Sequence, residues 1–188
     1  MAPETDPAPD AVADEARDEA PDALADAALL ERRAARYARP GTPGLEAVAE
    51  YVAFARGAGQ YALPLVSLRE ARPLRHLARV PGASPVVAGV FQFRGEPLSA
   101  HDLAAWMTPE GTPGARAEWV LVVEHAGARL GLLADSLAGI ERLRVADCHP
   151  VPLTLGARGE CFRGVLGGQR LLLEPERLFS LPAFFRAF

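Results

Sequence analysis

The sequence predicts a mainly all-β protein made of two similar units, each with about five short strands, enough to close a small barrel and remove exposed edges. Three observations in the 188-residue chain carry that reading. Short apolar runs rich in Val, Leu and aromatic residues are bounded by turns containing Gly or Pro. The segment from Glu50 to Leu68, EYVAFARGAGQYALPLVSL, is matched by EWVLVVEHAGARLGLLADSL from Glu118 to Leu137, at an offset of 68 residues that becomes 69 after one insertion. A fainter match, at an offset of 75, joins Gly89-Val90 to Gly164-Val165 and Leu103 to Leu178. Such a period exceeds that of solenoid arrays, so it marks a duplicated subdomain.

Residues 1–21 are Ala, Pro, Asp and Glu without period, with seven carboxylates in the first twenty. That composition buries too little apolar surface to offset its ordering entropy, so an acidic disordered tail is expected, with no secretory signal. From Asp22 the pattern changes. Leu24, Ala27, Leu30, Ala34 and Tyr37 form one apolar stripe at helical spacing, with Asp22 as N-cap, acidic residues early and arginines late. An amphipathic helix over 22–40 is predicted, stopped by Pro40-Gly41.

Each member of the repeat reads as a strand, a tight Gly-containing turn, and a second strand that runs on into a third. Between the two copies, Val86 to Phe93 is apolar apart from Gly89 and Gln92 and reads as a mostly buried strand. Arg94 stands at its mouth, and Gly95 lets the backbone turn. Pro97 has no N–H for a ladder, which predicts that the next strand lies or begins at an edge. Near the C-terminus, Gly167-Gly168 reads as a hairpin turn between two further strands. These units fill 41–188.

Composition narrows the function. All 20 basic residues are Arg, and residues 41–188 hold fourteen acidic and fifteen basic side chains. A nearly neutral globular part argues against nucleic acid or an anionic membrane as the main partner. The longest uncharged stretch, Val80 to Phe93, is too short for direct membrane insertion. Two cysteines, Cys148 and Cys161, cannot make a zinc site alone, and a cytoplasmic protein with reduced thiols is expected.

Chemistry is sparse. His76, His101, His125 and His149 lie in four separate regions, and no nucleophile elbow accompanies Ser99, His101 and Asp102. Ser99 and His101 are expected to face solvent on an edge strand. Cys148-His149 sets a thiol beside an imidazole, but neighbours in an extended segment point to opposite sides. No catalytic residue, cofactor or metal is therefore predicted. A thiol or histidine enzyme, and an Arg-rich barrel that stacks single-stranded bases on aromatics, stand as readings of other classes.

At this point the blocks YALPLVSLREA, GVFQFRGEPLSAHDL, WVLVVEHAGARLGLLADSLAGI and CFRGVLGGQRLLLEPERLF, in that order, resemble those of CheW-like chemotaxis coupling domains over about Glu46 to Leu181. The resemblance implies two intertwined five-stranded SH3-like β-barrels with short helices, the second over about 90–160 and the first from the flanking strands, and no catalytic activity. It also implies two partners: the cytoplasmic tips of methyl-accepting chemoreceptors and the regulatory domain of a CheA-type histidine kinase, within a receptor array. Arg94 and Gly95 match the family's Arg-Gly at the end of the central strand, and Glu70 its acidic residue in the first barrel. An Arg94 to Glu70 ion pair is thereby predicted, with Leu68, Pro97 and Leu98 as neighbours in a receptor groove. Gln92-Phe93 stands where the family has Asn-Leu, and Ser99 and His101 where it is apolar, which keeps a pilus or gliding system open beside a flagellar one.

Overall fold

The computed structural model describes residues 48–108, 116–167 and 169–185. The chain divides into two units, Met1–Leu45 and Glu46–Phe188, and the second holds all the described residues. The tail expected over 1–21 and the helix expected over 22–40 lie outside them.

The strands are β1 (Val48–Arg56), β2 (Gly59–Pro64), β3 (Leu68–Pro73), β4 (Val87–Phe93), β5 (Glu96–His101), β6 (Trp119–His125), β7 (Ala128–Ala134), β8 (Ser136–Arg144), β9 (Phe162–Leu166) and β10 (Arg170–Leu173). Short helices follow the fifth and tenth strands: α1 (Leu103–Met107), then α2 (Pro175–Ser180) and α3 (Pro182–Phe185). The strands form two five-stranded sheets, ordered β8-β1-β2-β10-β9 and β3-β6-β7-β5-β4. As the sequence predicts, the protein is mostly β.

The repeat is visible in the pairing. β1 and β2 form an antiparallel hairpin around Gly57-Ala58, and β6 and β7 form another around Ala126-Gly127. The third strand of each copy then leaves its own hairpin. β3 pairs with β6 of the second hairpin, and β8 pairs with β1 of the first. Each sheet thus takes its edge strand from the other copy, which makes the two units intertwined. The second sheet accordingly runs from Leu68 to Ala134, where the resemblance places its barrel at about 90–160. Asp135 alone separates β7 from β8, so the chain passes directly from one sheet to the other at a point that local patterning does not mark.

Closure of each barrel depends on a glycine. The segment after β3 returns to the free side of β4 at an isolated bridge, with N–H to O distances of 2.8 and 2.7 Å between Ala78 and Val90. The segment after β8 returns to β9 in the same way, at 2.9 and 2.8 Å between His149 and Val165. A Cβ at Gly89 would lie 2.4 Å from the Ala78 carbonyl oxygen, and one at Gly164 would lie 2.3 Å from that of His149. The Gly-Val pairs that repeat in the sequence are therefore where a crossing strand comes too close for any side chain.

Two faces of the central strands are buried, which explains their nearly unbroken apolar runs. Val120 and Val122 of β6 point into the second barrel with Phe91, Phe93, Ala100 and Leu133. Leu121 and Val123 point the other way, into a shared core with Val52, Phe54, Tyr61 and Leu63 of the first sheet. Tyr51, Ala62, Leu166 and Leu172 fill the first barrel. Phe162, Leu178 and Phe184 complete the shared core from the C-terminal segment.

Candidate partner-docking site

Arg94 and Gly95 are the two central residues of the β4–β5 hairpin, in which Phe93 opposes Glu96. Their φ values of +51° and +91° are the positive pair that a two-residue turn matching strand twist requires. The conformation is unusual for Arg and costless for Gly. It holds the Arg94 side chain 73% exposed, with the guanidinium carbon 5.1 Å from the centre of the Phe93 ring. Its Nη2 donates to Oε2 of Glu70 at 3.2 Å. Glu70 lies on β3, which is in the second sheet and not in the first barrel where the resemblance places it, because β3 leaves its own hairpin to pair with β6. It stands at the opposite end of the sheet order from β4, so this ion pair spans the seam of the second barrel. An exposed pair of this kind contributes only about 0–1 kcal/mol, so stability does not account for it. One of the five guanidinium N–H groups is engaged, and a planar fork fixed above a rigid turn can recognise a carboxylate or carbonyl on another molecule.

The remaining predicted residues divide. Pro97 is exposed, opposite Gln92, and the half of β5 that contains it pairs with β4 alone. The other half, Ala100 and His101, pairs also with β7, so β5 is open at its start and internal at its end. Leu98 packs against the interior of the second barrel, whereas Leu68 packs against the shared core. The structure does not gather Leu68 and Leu98 into one apolar cluster. A separate shallow groove is lined by Val48, Ala49, Pro64, Leu65 and Val66, with Glu50 and Arg142 at its edge. Val66 there is 86% exposed.

His101 corrects an expectation. It does not face solvent; it is buried, stacked on Phe184 with ring centres 4.8 Å apart, and its Nε2 lies 2.9 Å from the Ser99 hydroxyl. The cause is the inner end of β5, whose pairing with β7 turns this side chain under the C-terminal helices. Burial pushes its pKa down to about 4, so at neutral pH it is an uncharged ring. Burial likewise pushes the Cys161 thiol up to about 12 and raises that of half-buried Cys148. Both thiols stay protonated at neutral pH, opposite to the shift that a thiol nucleophile needs. Among the described residues no cluster of three or more His, Cys, Asp or Glu could hold a metal ion, and no helix is long and apolar enough to cross a membrane.

One constellation is missing from the sequence reading. Arg56, at the end of β1, is 2% exposed and grips Asp102 through Nε at 2.8 Å and Nη2 at 2.6 Å. It also donates to Asp135, which accepts the Gly57 backbone N–H at 2.7 Å. Burial alone would lower the Arg56 pKa, but the hydrogen bonds and charges of Asp102 and then Asp135 raise it. Asp102 additionally caps α1 by accepting the Ala104 N–H at 2.9 Å. These three residues pin β1 of the first sheet to the end of β5 and to the β7–β8 corner. Arg56-Gly57 and Arg94-Gly95 look alike locally, each an arginine closing an apolar strand before a glycine. Only the carboxylates 46 and 79 residues further on decide that the first is buried.

Comparisons with known proteins converge on one family. The CheW-like domain model matches residues 50–182, and that match spans both sheets and both closing bridges. Chemotaxis protein CheW of Helicobacter pylori is 28% identical over 121 residues, covering 64% of this chain and 73% of that protein. Protein PilI of Pseudomonas aeruginosa is 29% identical over 94 residues, half of this chain and 53% of that protein. In fold, the scaffolding protein TtCheW from Thermoanaerobacter tengcongensis superposes with a TM-score of 0.60 at 16% identity, over 72% of this chain and 95% of that one. The chain belongs to the CheW-like domain family.

Proposed function

We propose that this protein is a non-catalytic adaptor that couples the cytoplasmic tips of methyl-accepting chemoreceptors to the regulatory domain of a CheA-type histidine kinase. The observation that carries this reading is the Arg94 guanidinium, held out from a positive-φ turn and tied by one contact to Glu70 across a barrel seam, in a chain of the CheW-like family. The proposed partner-binding set is centred on Arg94, Gly95, Glu70 and Pro97, with Leu68 and Leu98 contributing from two different apolar clusters. The exposed groove at Val48, Pro64 and Val66 offers an apolar stripe of the kind that receives an amphipathic helix. Each interface is modest, and many copies in one array multiply their effect through effective concentration. The protein works in the cytoplasm, recruited to membrane-bound receptors.

The test is a pull-down of receptor cytoplasmic fragment and kinase regulatory domain by native protein and by Arg94→Glu. The variant should bind one of the two at least about tenfold more weakly, as expected for loss of a charge-assisted contact. Equal binding by the variant removes Arg94 from the interface. A second reading, the same adaptor role in a pilus or gliding system, draws on the likeness to Protein PilI. The identity of the kinase and receptor that co-purify from the native cell separates the two.

A further inference from the structure

A cleft of about 660 Å³ opens between the segment joining β3 to β4 and the chain that enters β6. Arg75, Arg79 and Arg116 line it, all three exposed and none in an ion pair with a described residue. The only carboxylate among the described lining residues, Asp102, is already gripped by Arg56. The lining thus carries a positive excess of three in a domain that is otherwise close to neutral. Its apolar part includes the half-buried side chains of Leu74, Leu77 and Val80. None of the described lining residues is Phe, Tyr or Trp, and His76 is the one aromatic ring among them.

Three unpartnered guanidiniums over an aliphatic wall define the chemistry of the occupant. Arginine forks match carboxylates in two-point contact, and an extended peptide presents alternate side chains to opposite sides. We propose that this cleft docks an extended acidic peptide of a partner protein, its carboxylates on Arg75, Arg79 and Arg116 and its aliphatic side chains on Leu74, Leu77 and Val80. This surface is separate from the Arg94 seam, and its test does not depend on the adaptor reading.

The experiment is isothermal titration of the full chain with a capped hexapeptide of alternating Glu and Leu, at low and at moderate salt. Binding should weaken with salt, and about tenfold or more in Arg79→Glu, in Arg116→Glu and in the Arg75→Glu/Arg79→Glu pair, as loss of charge-assisted hydrogen bonds predicts. Arg163→Glu, on the exposed face of β9, serves as control and should bind like the native chain. Circular dichroism melts of all variants should coincide with the native one, since these side chains are exposed. Absence of binding, native affinity in the charge-reversed variants, or equal binding of a Gln-Leu peptide overturns the proposal. Inorganic tripolyphosphate that binds as tightly as the peptide and displaces it also overturns it, because the cleft is then a phosphate site.

Discussion

At the scale of single residues, two arginines with the same local sequence setting have opposite roles, and burial separates them. Arg94 is solvent-exposed and its pair with Glu70 contributes about 0–1 kcal/mol, so Arg94→Glu should leave the thermal melt nearly unchanged. Arg56 is buried against two carboxylates, and Arg56→Met removes the buried cation that faces the Asp102 carboxylate. That change should cost about 3–5 kcal/mol, read as a lower urea midpoint at unchanged slope. A melt of Arg56→Met equal to the native one contradicts the pin. His101 provides the pH dependence. Its folded pKa of about 4 lies below the ordinary 6.5, so its stabilising contribution is complete above pH 6.5 and is lost as pH falls toward 4. The loss amounts to about 3 kcal/mol at the acid end, from roughly 1.4 kcal/mol per pKa unit. Urea midpoints between pH 7 and 4 should therefore fall more steeply for native protein than for His101→Gln, and parallel slopes contradict the buried neutral ring.

At the scale of elements, the legible and the illegible parts of the sequence have distinct physical causes. The hairpins around Gly57-Ala58 and Ala126-Gly127 were legible because strand periodicity and turn chemistry are local. The first turn lies one residue before the aligned Ala58-Gly59, since the inserted residue falls ahead of the turn and not after it. The Gly-Val repeat was legible as a pattern, and the structure supplies its cause in the bridges at Ala78 and His149. The exchange of β3 and β8 between sheets is implied by the family resemblance alone and not by local patterning, because partner choice depends on contacts far along the chain. The burial of His101 was hidden for the same reason, being set by β7 and Phe184. Gly89→Ala and Gly164→Ala test the closure directly. Each forces a carbonyl away from a position 2.3–2.4 Å from the new Cβ and should cost about 1–3 kcal/mol. Faster amide exchange should appear at Ala78 and Val90 in the first variant and at His149 and Val165 in the second, and native exchange rates there contradict the account.

At the scale of the whole molecule, the two sheets share a core and a buried ionic pin. That shared frame carries several surfaces suited to presentation: an exposed fork at Arg94, a shallow apolar groove at Val66, and an arginine-lined cleft at Arg79. The family resemblance in the four blocks anticipated this architecture, while the cleft carries a charge pattern that no motif marked. Adaptor function is tested most directly by co-sedimentation of a CheA-type kinase with receptor-bearing membranes, with and without this protein. The account predicts that the kinase reaches the pellet when native protein is added and that Arg94→Glu, equally folded, fails to bring it there. Kinase that sediments to the same extent with native protein, with the variant and with neither contradicts the central claim.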